Sequence, residues 1–137
     1  MLHTQAEEAW RGRDQEGCQV LVIDDDLDIR ETLATVLAEE GYAVASAANG
    51  EEALGYLARA PAPRLILLDL MMPVMNGWQF CARQRELPEL ASIPVVIISA
   101  DGNLQNHVKE IKACSFLKKP IHLNELLDIV GRFCPRS

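Results

Sequence analysis

The run RLILLD, Arg64 to Asp69, is apolar at every position between its charged ends. A strand wet on one side alternates apolar with polar residues; an unbroken apolar run of strand length is covered on both sides. CQVLVI (Cys18–Ile23) and PVVIIS (Pro94–Ser99) have the same character. YAVASA (Tyr42–Ala47) and SFLKK (Ser115–Lys119) complete a set of five predicted strands. Helical spacing fills the intervals. Ile29, Leu33, Val36 and Leu37 mark a first helix that stops at Glu40-Gly41, and Asn49 caps a second carrying Ala53, Leu54 and Leu57, ended by Pro61 and Pro63. Gly77 opens a third helix that runs to about Leu87 and is stopped by Pro88. Leu104, Val108 and Ile111 mark a short fourth; Leu123, Leu126, Leu127, Val130 and Phe133 form the inner stripe of the fifth. Doubly covered strands alternating with helices predict an α/β fold. The expected architecture is a doubly wound five-stranded parallel sheet of order 2-1-3-4-5 with five helices.

The chain of 137 residues fits one such domain, with residues 1–17 as a loose or partly helical extension and 18–134 as the folded unit. Trp10 is the extension's only large aromatic residue. The net charge of −7 argues against a nucleic-acid surface. No apolar stretch is long enough to span a membrane, and the first residues do not read as a secretory signal, so a cytoplasmic location is the default. Cys18, Cys81, Cys114 and Cys134 lie far apart without CxxC spacing, and His3, His107 and His122 are scattered. Neither set suggests a metal site.

In the predicted order the strand ends gather chemistry. Strand one ends at Asp24-Asp25, strand three at Asp69, strand four at Ser99 and strand five at Lys119. Three carboxylates on one rim raise each other's pKa. A divalent cation relieves that crowding, and an all-oxygen donor set suits Mg²⁺, with Mn²⁺ as the alternative. Lys119 can pair with a remaining acid or an incoming phosphoryl group, and Ser99 can donate to a phosphoryl oxygen. Such a site suits phosphoryl transfer, with a carboxylate able to serve as acceptor.

VLVIDDDLDIR, LILLDLMMPVMNGWQF, PVVIISA and FLKKP together resemble the receiver domain of two-component response regulators, over about Gln19 to Phe133. The resemblance implies a flavodoxin-like fold and a role for each matching position. Asp69 matches the phosphoacceptor. Asp24 and Asp25 match the acidic pair that holds Mg²⁺, and Met71 would add its backbone carbonyl. Ser99 matches the switch hydroxyl, Lys119 the lysine on the phosphoryl oxygen and Phe116 the aromatic whose rotation follows the switch. The Lys119–Pro120 bond is expected cis, and Gly77 matches the glycine that starts the third helix. Asp26 and Asp28 are expected to be helix-capping or surface acids, and Met71, Met72 and Met75 to be loop packing. The implied function is a phosphorylation-controlled switch that catalyses only its own phosphorylation and dephosphorylation. Its partners would be a histidine kinase or phosphotransfer protein and a downstream protein target. The resemblance leaves open a phosphorylation-dependent homodimer.

Some positions depart from the family pattern. The segment from Ser99 to Lys119 is short, and Lys112-Ala113-Cys114 stands where a Gly-Ala pair is usual, so the fourth helix is expected to be short or displaced. His122 replaces the usual acidic cap of the last helix. A bulky Met71 is expected to shield the acyl phosphate from water. The chain ends at Pro135-Arg136-Ser137, as expected of a stand-alone regulator or of a receiver cut from a hybrid kinase or a longer regulator; the short N-terminal extension starting with Met favours a stand-alone or N-terminal receiver. The principal rival is a haloacid-dehalogenase-like phosphatase using Asp24 as nucleophile in an Asp24-x-Asp26 arrangement, but that family needs further acids after the lysine. A calcium loop through Asp24, Asp26 and Asp28 fails, because Ile29 stands where glycine is required and Thr35 where a bidentate glutamate is required.

Overall fold

The computed structural model describes residues 19–135; the predicted extension over 1–17, with Trp10, and Cys18 lie outside them. The elements run β1 (Gln19–Ile23), α1 (Leu27–Glu39), β2 (Ala43–Ala47), α2 (Gly50–Arg59), β3 (Leu65–Asp69), α3 (Gly77–Glu86), α4 (Pro88–Ala91), β4 (Val95–Ser99), α5 (Leu104–Ile111), β5 (Ser115–Lys118) and α6 (Leu123–Phe133). The sheet order is β2-β1-β3-β4-β5, and every pairing is parallel. This is the predicted flavodoxin-like topology.

The apolar runs are explained by what covers them. Alternate residues of each central strand point to opposite faces. Leu21, Ile23, Ile66, Leu68 and Ile97 pack beneath α2, α3 and α5 with Ala53, Leu57, Phe80 and Leu104. Val20, Val22, Leu65, Leu67, Val96 and Ile98 pack beneath α1 and α6 with Leu33, Leu37, Leu126 and Val130. All residues of β3 and β4 are buried, including the terminal Asp69 and Ser99. Burying a Leu, Ile or Val side chain contributes about 1.5–3 kcal/mol, so the central strands dominate stability.

Among the described residues six helices form where five were expected. The added α4 is one turn with Pro88 at its start. Proline has no N–H to continue α3, but its fixed φ suits a first helical position, so the residue that stops one helix starts the next. Buried Gln84 on α3 joins this turn to the core: its Nε2 donates to the Leu90 carbonyl (2.9 Å) and the Ile93 carbonyl (3.0 Å). In α6 the buried residues are Leu126, Ile129 and Val130. Leu123, expected in the inner stripe, is 51% exposed because it is the helix's first residue. Phe116 is partly buried against the α2–α3–α5 face.

Helix ends follow side-chain chemistry. Asp26 Oδ1 accepts from the Asp28 and Ile29 N–H groups (3.0 and 3.2 Å), so Asp26 is a cap as expected. Asn49 caps α2, and Asn76 with Gln79 forms a reciprocal capping box on α3. His122 gives α6 no side-chain cap bond. The eight-residue α5 ends at Lys112, which holds a left-handed φ of 63° that glycine would adopt without strain. Replacing Gln84 by Leu leaves the Ile93 carbonyl without its amide partner. Urea unfolding should show a loss of about 1–3 kcal/mol.

Candidate functional site

Strand register builds the site. Ile23 pairs with Leu68, so the next residues, Asp24 and Asp69, emerge side by side from adjacent strands. Asp69 pairs with Ile98, and Ser99 with Lys118, which brings Ser99 and Lys119 to the same rim. The Lys119 N–H donates to the Ser99 carbonyl (2.9 Å), and the Asp24 N–H to the Ala47 carbonyl (3.1 Å). Carboxyl ends of parallel strands are where open α/β sheets place ligands.

Lys119 Nζ lies 2.9 Å from Asp24 Oδ2 and 3.7 Å from Asp69 Oδ1. Asp24 is wholly buried, and its Oδ1 accepts the Asp26 N–H (2.9 Å). Arg30 Nη1 donates to the Asp24 carbonyl (2.8 Å), fixing that residue's backbone. Asp24 Oδ2 has the ion pair but no directed hydrogen bond, so a buried oxygen keeps lone pairs uncommitted. Carboxylate oxygens of Asp24, Asp25 and Asp69 all lie within 4.8 Å of one another. Three acids against one ammonium leave two negative charges when ionised. An open, all-oxygen set of this charge, with one orphaned buried oxygen, fits a hard divalent cation.

The Asp69 carboxyl is pushed up to about 6, first by burial and next by the charge of Asp24, with Asp25 adding a smaller push. Lys119 and the Met71 backbone N–H pull the other way. Thus the crowding expected from the sequence is present, and one amine does not neutralise it.

The loop between β3 and α3 is tied at both ends. The Gly77 N–H donates to the Leu70 carbonyl (2.9 Å), and the Gly50 N–H to the Met75 carbonyl (3.1 Å). A Cβ on Gly77 would sit 2.8 Å from Leu70 Cα and 2.9 Å from the Asp69 carbonyl oxygen, so this approach admits only glycine. Met72 is buried and Met75 partly buried, which agrees with loop packing. Met71 does not pack: its side chain is 66% exposed, while its backbone N–H reaches the Asp69 carboxyl. Ser99 is 2% exposed, and its Oγ accepts the Asp101 N–H (3.1 Å). The Lys119–Pro120 bond is cis.

The structure therefore brings Asp24, Asp25, Asp69 and Lys119 together and sets Ser99 on the adjoining strand end. Sequence reasoning did not use Arg30, the Asp26 and Met71 N–H groups, or His107, whose ring joins Asp101 and Glu110 (3.0 and 2.9 Å). Arg30 stood within the quoted DDDLDIR, but its contact is to backbone and no spacing rule signals it.

A 2-1-3-4-5 sheet whose rim gathers three acids, one amine and a hydroxyl defines a doubly wound α/β domain able to hold a metal ion. The chain belongs to the response regulator receiver domains of two-component signalling: the family model matches residues 20–131. It is 34% identical to sporulation initiation phosphotransferase F of Bacillus subtilis, covering 85% of this chain and 94% of that protein. It is likewise 34% identical to protein PilG of Pseudomonas aeruginosa, covering 88% and 90%. Chemotaxis protein CheY4 of Vibrio cholerae superposes with a TM-score of 0.78 at 30% identity, over 85% of this chain and 98% of that one. Against the probable transcriptional regulator ycf27 of Porphyridium aerugineum (38% identity), the chain spans 79% of itself and 44% of the relative. The phosphatase reading falls with this assignment, and Asp26, its required second acid, is occupied as a helix cap. The protein is thus a signalling switch rather than an enzyme with a separate substrate. Among the described residues, no helix is long and apolar enough to cross a membrane.

An acid raised in the folded state gives a stability contribution that is full below its unfolded value, 3.8, and lost as pH rises through about 6. Asp69→Asn removes this loss. Without divalent cations, the variant's Tm should exceed that of wild type at neutral pH, and the gap should close as pH falls from 6 to 4. Mg²⁺ should raise the wild-type Tm more than the variant's.

Proposed function

We propose that Asp69 is the phosphoacceptor and that the donor is a phosphohistidine on a histidine kinase or phosphotransfer protein. The observation carrying this reading is the placement of Asp69, buried at the rim beside Asp24, with the Lys119 ammonium 3.7 Å from its carboxylate. A carboxylate oxygen of Asp69 attacks phosphorus as the P–N bond to the donor imidazole breaks, and the bond's electron pair stays with the departing nitrogen, which takes up a proton. Asp24, Asp25, Asp69 and the Met71 carbonyl are the groups that would hold Mg²⁺, with Mn²⁺ as the alternative. When bound, the cation supplies positive charge against the phosphoryl oxygens and the crowded acids. Lys119 shares its amine between Asp24 and Asp69 and is free to turn to a phosphoryl oxygen. Ser99 accepts the Asp101 N–H and keeps its own O–H to donate to the phosphoryl group.

The product adds about −1.5 to −2 of charge, by analogy with phosphorylated hydroxyls. Ser99 and Lys119, drawn to the new oxygens, would shift the end of β4 and Phe116 with them and bias the face formed by α5, β5 and α6, which a downstream protein or a second copy of the chain would read. The receiver unit is taken as 18–134, supported by the family match over 20–131. Cytoplasmic action accords with a soluble partner kinase domain.

Incubation with Mg²⁺ and acetyl phosphate should add one phosphoryl group by intact mass, mapped to Asp69 after borohydride reduction. Asp69→Asn should abolish it; a full adduct on that variant would overturn the assignment. Because Met71 binds the Asp69 carboxyl through its backbone N–H and carries a bulky, exposed side chain, Met71→Asn should shorten the acyl-phosphate half-life several-fold. An unchanged half-life would remove the shielding role.

A further inference from the structure

His107 lies on α5, and its ring is tied to two carboxylates outside the acidic rim. Nε2 lies 3.0 Å from Asp101 Oδ2 and Nδ1 lies 2.9 Å from Glu110 Oε1. Trp78 of α3 meets the ring edge-to-face, with centroids 5.1 Å apart at 88°. The ring is thus covered, with 12% of the side chain exposed. Two ring nitrogens facing two carboxylates can both donate only as the imidazolium. In the neutral ring one lone pair must face a carboxylate oxygen.

Asp101 is the link to the site. Its Oδ1 accepts the Asn103 N–H (2.8 Å), its Oδ2 faces His107, and its own N–H donates to Ser99 Oγ (3.1 Å). That last bond fills a lone pair of the hydroxyl and turns its O–H outward. Resting on the reading of Asp69 and Ser99 given above, we propose that His107 is a positioning residue for phosphoryl transfer: protonated, it holds Asp101, and through the Asp101 N–H it aims the Ser99 hydroxyl.

Glu110 and then Asp101 hold His107 above its ordinary value, and the Asn103 N–H with His107 holds Asp101 below its own. These are the charged groups acting on the ring. The α3 side presents the neutral Trp78, and β4 carries no charged residue. On β5, Lys118 borders a separate hollow of about 270 Å³ with Gly102, Asn103 and Asn106. A histidine raised by partners contributes below its unfolded value, and the contribution disappears as pH rises through its folded value. The hold on Ser99 is therefore present at acidic to neutral pH and released above it.

The test compares Mg²⁺-dependent phosphorylation by acetyl phosphate in wild type, His107→Phe and Asp101→Asn across pH 5.5–8.5. The ratio of wild-type to variant rate cancels the donor's own pH dependence. It should be about three- to tenfold at low pH and approach one at high pH, with the same curve for both variants. In parallel, the Asp101 and Asn103 amide resonances should titrate together with the His107 ring in wild type and not in His107→Phe. A ratio constant across pH, the mark of a merely structural residue, overturns the proposal while leaving Asp69 as acceptor. Amides that do not follow the ring also overturn it. If no phosphoryl group reaches Asp69 in wild type, the proposal fails together with the reading on which it rests.

Discussion

The structure depends on keeping three carboxylates and one ammonium within a few ångströms at one rim of a sheet that has no wet face. Coverage of β1, β3 and β4 on both sides leaves their ends as the one place where those strands meet solvent. Parallel pairing delivers every carboxyl end to that place, and the register sets Asp24 directly beside Asp69. The same burial that stabilises the fold deprives Asp24 and Asp69 of water. The Asp69 carboxyl is raised mainly for that reason, with Asp24 second. Lys119 reduces the imbalance without removing it, since its single positive charge is shared by two acids. A protein built this way responds to added charge, because its resting state is already electrostatically uneven.

What the sequence made legible is what local chemistry decides. Unbroken apolar runs revealed doubly covered strands, and their alternation with helical spacing left one common topology. The acids, hydroxyl and amine were then placed by counting to each strand end. Asp26 as a cap and Gly41 at the end of α1, where φ is 96°, follow from residue type alone. What stayed hidden depends on tertiary approach. Gln84 reads as a surface glutamine on a polar helix, and only the fold of α4 brings two carbonyls to its amide. Leu123 fits the spacing of the α6 stripe, but it lies at the exposed start of the helix. His107 stood alone in the sequence; its partners come from a loop, its own helix and α3.

Among the described residues two non-glycine residues hold left-handed backbone: one precedes the amino end of β5, at the end of the sheet away from the acids, and the other lies in the loop that follows Asp69. Lys112 closes α5. Val74, at φ 69°, is a β-branched residue in a conformation such residues rarely adopt. The Met75 N–H donates to the Pro73 carbonyl (2.7 Å), so Val74 is the centre of a tight three-residue turn. Strain of this kind persists only where surrounding contacts over-determine the path.

Those contacts can be identified for Val74. Upstream, the chain leaves β3 with Asp69 locked in register and Met72 buried. Downstream, the Asn76 capping box fixes the start of α3, and Gly77 presses against Leu70 and the Asp69 carbonyl oxygen. Met75 is held from the side by Gly50, where a Cβ would meet the Met75 side chain at 2.7 Å. The chain must therefore pass from the sheet to α3 within a few residues whose ends are both fixed, and the turn falls on the exposed residue between them. Val74 carries the strain because every neighbour is committed to holding Asp69 in place. The precision of the acidic rim and the distortion of the loop beside it have one cause.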